Sequence, residues 1–180
     1  MNKFLVSLVV VLGFAAPAAA QEFDNWYVGV SAVDTSISTA TFEIDDSGYS
    51  LTLGYSFDAI EGFETSAELS YNELVTMDLG GGNIRSDLGL NSTDLSVLIG
   101  KQFDGVTPFF RFGYTHGAGD VYVADGTTAS SASNSGNGYI FGLGLDIAVS
   151  QKSGVRFEYS QSDFDGDELD ALRVGLIGRF

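Results

Sequence analysis

The sequence predicts an all-β chain: an eight-stranded antiparallel up-and-down barrel that crosses a membrane. Three observations carry this. Alternation of apolar and polar residues with period two recurs eight times. The connections between runs alternate short and long. The apolar rows end in aromatic residues. Composition agrees: 180 residues include 23 glycines and only 2 prolines, and 13% are aromatic, a balance that suits strands with close backbone packing.

Residues 1–20 stand apart. Lys3 gives a positive start, Phe4 to Phe14 form an apolar run too short to span a bilayer as a helix, and Ala18-Ala19-Ala20 is a small-residue cleavage motif. Together they read as a secretory signal peptide, with Gln21 opening a single barrel domain over 21–180. Without Lys3, 7 basic residues face 24 acidic ones, so the whole-chain charge of -16 becomes -17. That balance excludes nucleic acid as a partner, since little could neutralise phosphates. No cysteine is present, which excludes disulfides, thiolate metal sites and an acylated anchor.

The runs follow in order. WYVGVSA sets Trp26, Val28 and Val30 against Tyr27, Gly29 and Ser31. YSLTLGYSF sets Tyr49, Leu51, Leu53, Tyr55 and Phe57 against Ser50, Thr52, Gly54 and Ser56. FETSAELSY sets Phe63, Thr65, Ala67, Leu69 and Tyr71 against Glu64, Ser66, Glu68 and Ser70. DLSVLIGKQF sets Leu95, Val97, Ile99 and Phe103 against Asp94, Ser96, Gly100 and Gln102. VTPFFRFGYT sets Pro108, Phe110, Phe112 and Tyr114 against Phe109, Arg111 and Gly113. GYIFGLGLDIAV sets Tyr139, Phe141, Leu143, Leu145 and Ile147 against Gly142, Gly144 and Asp146. VRFEYS sets Val155, Phe157 and Tyr159 against Arg156, Glu158 and Ser160. LRVGLIGRF sets Leu172, Val174, Leu176 and Phe180 against Arg173, Gly175 and Arg179. The short links DAIEG, DG and SQKSG fall at one end and the long polar links at the other, as in outer-membrane barrels.

A soluble barrel would turn the apolar rows inward around a ligand. Rows of Tyr, Phe and Leu are too bulky for an eight-stranded interior, whereas Gly, Ser and Thr fit it. The apolar face is therefore read as outward, towards lipid. Tyr49, Tyr71, Tyr114, Tyr139 and Tyr159 form one predicted aromatic girdle at the long-loop end. Trp26, Phe57, Phe63, Phe103 and Phe180 form the other. From Tyr49 to Phe57, eight steps of ~3.3 Å at a tilt of about 40° span roughly 20 Å, near the expected apolar band of about 25 Å. With no edge permitted in lipid, the last strand must pair with the first.

The chain resembles the small OmpA/OmpX-like, opacity-type family of eight-stranded outer-membrane barrels. The resemblance rests on WYVGV, TPFFRFGYT and VGLIGRF, and covers nearly all of residues 21–180. It implies a non-enzymatic protein of the cell outer membrane, embedded among lipid and lipopolysaccharide. It also implies that the barrel-assembly machinery reads Phe180 during insertion. Larger members of the family add a peptidoglycan-binding domain, a role not expected here.

By parity Glu64, Glu68, Asp146 and Glu158 point inward, as do Arg111, Arg156 and Arg173. Buried charges are costly unless paired, so these seven should form a network. It could line a narrow pore for ions or small solutes, or staple the lumen shut; the narrow interior favours the second. Residues 33–48, 72–93, 116–137 and 161–170 read as long external loops holding most of the acidic groups, with Arg85 their only basic residue. Within them TTASSASNSGNG reads as flexible. The cluster Asp163, Asp165, Asp167, Glu168 and Asp170 is a weak divalent-cation candidate, because Gly166 and Val174 break the EF-hand spacing. Loose bridging to lipopolysaccharide through cations suits these acids better. His116 lacks a neighbouring Ser nucleophile, so an interfacial role outweighs a catalytic one. No cofactor motif is present. The expected role is envelope integrity or surface contact.

Overall fold

A computed structural model of the protein describes residues 25–38, 43–78, 85–124, 129–164 and 167–180. Eight strands follow in chain order: β1 (Trp26–Ser38), β2 (Glu43–Phe57), β3 (Glu64–Asp78), β4 (Arg85–Gly100), β5 (Val106–Ala124), β6 (Ala129–Ala148), β7 (Ser153–Phe164) and β8 (Asp167–Arg179). Each pairs antiparallel with the next, and β1 pairs with β8 from Tyr27–Arg179 to Ser38–Glu168, which closes the barrel. The C-terminal alternation is thus a full strand, and Phe180 follows it with its N–H on the Trp26 carbonyl. The region read as a signal peptide lies outside the described residues.

Parity sets the two faces as expected. On β2, Leu51 and Leu53 are exposed while Ser50 between them and the girdle is buried. On β5, Phe110 and Phe112 point outward while Phe109 and Arg111 are buried. At the short-turn end, Asp104 and Gly105 both take positive φ, 45° and 87°, between a pair of Phe103–Val106 backbone bonds of 2.7 and 2.8 Å. This is the Asp-Gly hairpin geometry whose twist matches the flanking strands. Two inward aromatics fit because glycine faces them: a Cβ on Gly54 would overlap the Tyr27 ring, and one on Gly144 the Phe109 ring.

The regions read as long loops are mostly strand. β6 has 20 residues and β5 has 19, so at ~3.3 Å per residue and a tilt of about 40°, β6 alone spans roughly 50 Å. Half of that lies beyond the aromatic rows. Much of TTASSASNSGNG, read as flexible, is ordered strand from Ala129 to Gly138, paired with β5. Alternation is lost there because water bathes that part of the sheet, yet the backbone ladder continues and satisfies its donors and acceptors.

Above the tyrosine row the barrel divides. The β2–β3 ladder ends at Tyr49–Glu73 and the β6–β7 ladder at Gly138–Phe164. Among the described residues, β3-β4-β5-β6 continue outward as a four-stranded sheet, whereas β7 ends at Phe164, still paired with β6. A register shift between Glu73 and Val75 on β3 gives two residues against one on β4. Such a bulge re-aims side chains, and Leu74 and Val75 are both buried here.

Candidate functional site

The interior is layered. At the short-turn end sit Tyr27, Leu98, Phe109 and Ile177, all buried. Above them lies the charge cluster. Glu68 on β3 bridges Arg111 on β5 and Arg156 on β7, each at 2.5 Å. Arg111 also meets Glu158 at 2.8 Å, and Arg156 meets Asp146 at 2.7 Å. Arg173 on β8 lies 3.2 Å from Glu158 and donates to Ser160. The Arg156 guanidinium stacks on Phe109, 4.7 Å from the ring centre. Charges from five strands are thus tied across the lumen, which is the arrangement in which buried ions become tolerable.

Sequence parity brought six of the seven expected members together. Glu64 is the exception: it is exposed at the short-turn mouth and stands outside the cluster. The reason is position along the strand, because one step of two residues below Ser66 the lumen opens to solvent. Two members were missed. The Tyr27 hydroxyl donates to Glu68 at 2.6 Å. Asp94 lies 3.9 Å from Arg173 and accepts from Asn72 Nδ2 at 2.7 Å and Thr115 Oγ1 at 2.6 Å. Both have inward parity, the signal that could have revealed them. With Asp94 counted, four carboxylates face three buried arginines. Arg179 approaches Asp146 to 3.9 Å from the mouth and supplies the nearest further positive charge.

Outward of the charges, the interior turns apolar. Val33, Leu74, Val75, Leu169 and Ala171 are buried together, with Leu88, Leu90 and Phe164 packed against them. The free space left is small. A cavity of about 10 Å³ lies among Ser31, Ser70, Asp94 and the arginines, and one of about 30 Å³ opens near Glu64 and Asp146. The first has room for about one water.

The chain matches the family model described as outer membrane protein beta-barrel domain over residues 6–180. The chain belongs to this family. Among solved structures, this outer-membrane barrel is similar to Ail, the attachment invasion locus protein of Yersinia pestis (TM-score 0.64, 14% identity, 87% of this chain and 99% of that one). It is also similar to Neisserial surface protein A (TM-score 0.57, 15% identity, 86% and 97%). The N-terminal barrel domain of Pseudomonas aeruginosa OprF matches with a TM-score of 0.52, 17% identity, and 84% and 96% coverage. At such identities these likenesses concern the fold. No curated protein matches the sequence.

Family membership makes the outer membrane the setting, with lipid against the outward rows. No helix among the described residues is long and apolar enough to cross a membrane, and the strands do the crossing. All ten residues predicted for the girdles lie on or beside the outward face. Tyr71, Tyr114, Tyr139 and Tyr159 are exposed and Tyr49 is half-buried; Tyr114 and Tyr139 meet edge to face at 6.2 Å. At the other end Phe57, Phe63 and Phe103 are exposed, while Trp26 and Phe180 are half-buried. Trp26 packs on Tyr55, 5.1 Å between ring centres. Lys101 sits 5.7 Å from the Phe63 ring and 5.8 Å from that of Phe103, a cation at the height where lipid gives way to water.

Of the acidic cluster near the β7–β8 turn, Asp163 and Glu168 are paired across the hairpin and exposed, and Asp170 accepts from the Tyr159 hydroxyl at 2.7 Å. Asp165 and the Asp167 side chain lie outside the described residues. Among those described, no three acidic or imidazole side chains come close enough to share a metal ion. His116 is exposed on the outward face, its Nδ1 2.7 Å from Asn137 Oδ1.

Proposed function

We propose that the protein is a closed, non-enzymatic outer-membrane barrel whose work is done by its outer extension, in envelope integrity or surface contact. The single observation that carries this is the doubly filled lumen: the Glu68–Arg111–Glu158–Arg173 chain with its Arg156–Asp146 branch, topped by the Val33–Leu74–Leu169 cluster. A solute would have to displace both layers. His116 pairs with an amide, which suits an interfacial side chain better than a base.

The chemistry of the extension limits the partner. Asp34, Asp45, Asp120, Asp163 and Glu168 are exposed there. One Ail structure holds the heparin analogue sucrose octasulfate; the present surface would repel such a polyanion, and favours cationic or neutral partners. Lipopolysaccharide phosphates would be met through divalent cations. Insertion would follow recognition of the strand ending in Phe180 by the barrel-assembly machinery, after removal of residues 1–20.

The test is conductance of refolded residues 21–180 in a planar bilayer, after a heat-dependent gel shift has confirmed folding. The expected result is silence. Steady current steps would replace this reading with that of a narrow pore for ions or small solutes.

A further inference from the structure

At the short-turn end, the aromatic row holds a cation on the lipid-facing side. Lys101 continues the outward parity of Val97 and Ile99 on β4 and is exposed. Its place is fixed by the backbone. Phe63 and Lys101 are the next residues past the Glu64–Gly100 pair of the β3–β4 ladder. The Lys101 N–H donates to the Pro108 carbonyl at 3.1 Å, and the Asp-Gly turn closes just beyond it with the Phe103–Val106 bonds. The side chain is thereby set between two exposed rings, its Nζ 5.7 Å from the centre of Phe63 and 5.8 Å from that of Phe103. Pro108 is exposed beside them.

That ammonium has bonds left to give. Asp58, Glu61 and Asp104 stand exposed in the neighbouring turns, yet among the described residues no carboxylate lies within ion-pair distance of Lys101. The side chains of Phe63, Phe103 and Pro108 carry no oxygen to accept from it. A ring face attracts a cation without occupying its N–H groups as an oxygen would, so three donors remain. At the tyrosine row the chemistry is the opposite. Glu73 is paired with Tyr49, Asp163 with Tyr139, and Asp170 accepts from the Tyr159 hydroxyl. One boundary offers acids and the other a cation. Short turns mark the periplasmic end of such barrels, so Lys101 faces the inner leaflet, whose lipids are glycerophospholipids.

We infer that Lys101, with Phe63 and Phe103, holds the phosphodiester of an anionic glycerophospholipid of the inner leaflet. The ammonium donates to the phosphate oxygens, and the two rings lie against the glycerol and the upper acyl chains. The lysine stem runs along the apolar row, as long cationic side chains do at such boundaries. Rings and acyl chains exclude water from one side of the pair, which strengthens it. A headgroup with an ammonium of its own neutralises its phosphate, so phosphatidylglycerol is favoured over phosphatidylcholine. Inorganic phosphate would meet the lysine but gain nothing from the rings. The site uses neither the lumen nor the outer extension, so it stands whether or not the barrel conducts.

The test is native mass spectrometry of refolded residues 21–180, released from nanodiscs of equal parts phosphatidylglycerol and phosphatidylcholine after a heat-dependent gel shift has confirmed folding. Expected is one retained phosphatidylglycerol, favoured about fivefold over phosphatidylcholine. Lys101→Gln should abolish that preference and Lys101→Arg should keep it, both with an unchanged gel shift because the side chain is exposed. Phe63→Leu with Phe103→Leu keeps apolar contact, removes the rings and should lower the preference about threefold. Lys152→Gln, in the β6–β7 turn, should leave it unchanged. A wild-type barrel without the preference would overturn the proposal with no variant needed, as would full retention by Lys101→Gln. Equal loss in Lys152→Gln would replace the site with diffuse attraction to a basic rim. Displacement of the retained lipid by millimolar inorganic phosphate would overturn the lipid as ligand and leave a free-phosphate site.

Discussion

Below the tyrosine row the barrel is apolar outside and charged inside; above it the order reverses. In the lower part Leu143, Phe112 and Leu176 face outward while Glu68, Arg111 and Glu158 are buried. In the upper part Asp34, Asp163 and Glu168 face outward while Val33, Leu74 and Leu169 are buried. The same strands run through both. What changes is the solvent. Lipid offers no hydrogen bonds and welcomes apolar rows, so the polar residues go inside and must satisfy one another. Water rewards the opposite arrangement, and the extension holds itself together as a soluble protein does, by burying apolar surface.

Four predictions break or sharpen this comparison. The largest effect belongs to the ionic layer. Arg111→Ala leaves four carboxylates against two buried arginines and should cost about 3–5 kcal/mol, read from the urea unfolding midpoint in vesicles. An unchanged midpoint would mean that the cluster contributes nothing to the fold. In the apolar layer, Leu74→Ala should cost about 3 kcal/mol by the same measurement. Its amide-exchange effect should be confined to strand ends above the tyrosine row. Third, Leu143→Lys puts a charge midway along the lipid face and should cost about 2 kcal/mol. The smallest effect is the matched change above the row: Tyr122→Lys, on the same outward parity but in water, should stay within about 0.5 kcal/mol. Equal costs for these two lysines would contradict the placement of the membrane boundary.

The contrast also explains what was legible in the sequence. Where lipid imposes alternation, strand identity and facing were readable residue by residue. Glu68, Arg111, Arg156, Glu158 and Arg173 could be assigned inward before any geometry was known. Their partners could not, because pairing depends on register between strands distant in sequence, as between Glu68 and Arg156. Glu64 shares the parity of Glu68, but parity carries no information about depth. Asp94 stood at the border of a presumed loop, and Tyr27, although on the inward parity, carries no formal charge, so neither was counted.

The extension was read as loops because its inner and outer faces no longer differ sharply in residue type. Ser, Asn and Asp dominate it, and the residues that bind it together are scattered. Val33 comes from β1, Leu74 and Val75 from β3, Leu169 and Ala171 from β8. No local pattern links them.

The sequence by itself determined the architecture: eight amphipathic strands, their facing, the short-turn end, and a C-terminus that is a strand. Those features follow from a period of two and the residue chemistry of a lipid boundary, both local. Only the tertiary structure decided the rest: that closure of β1 on β8 seals an ionic layer beneath an apolar one, that a bulge aims Leu74 and Val75 inward, and that β6 outlasts β7 and keeps an open edge. Each depends on where strands far apart in the chain begin and stop pairing, a balance of backbone hydrogen bonds and burial that no single stretch of sequence encodes.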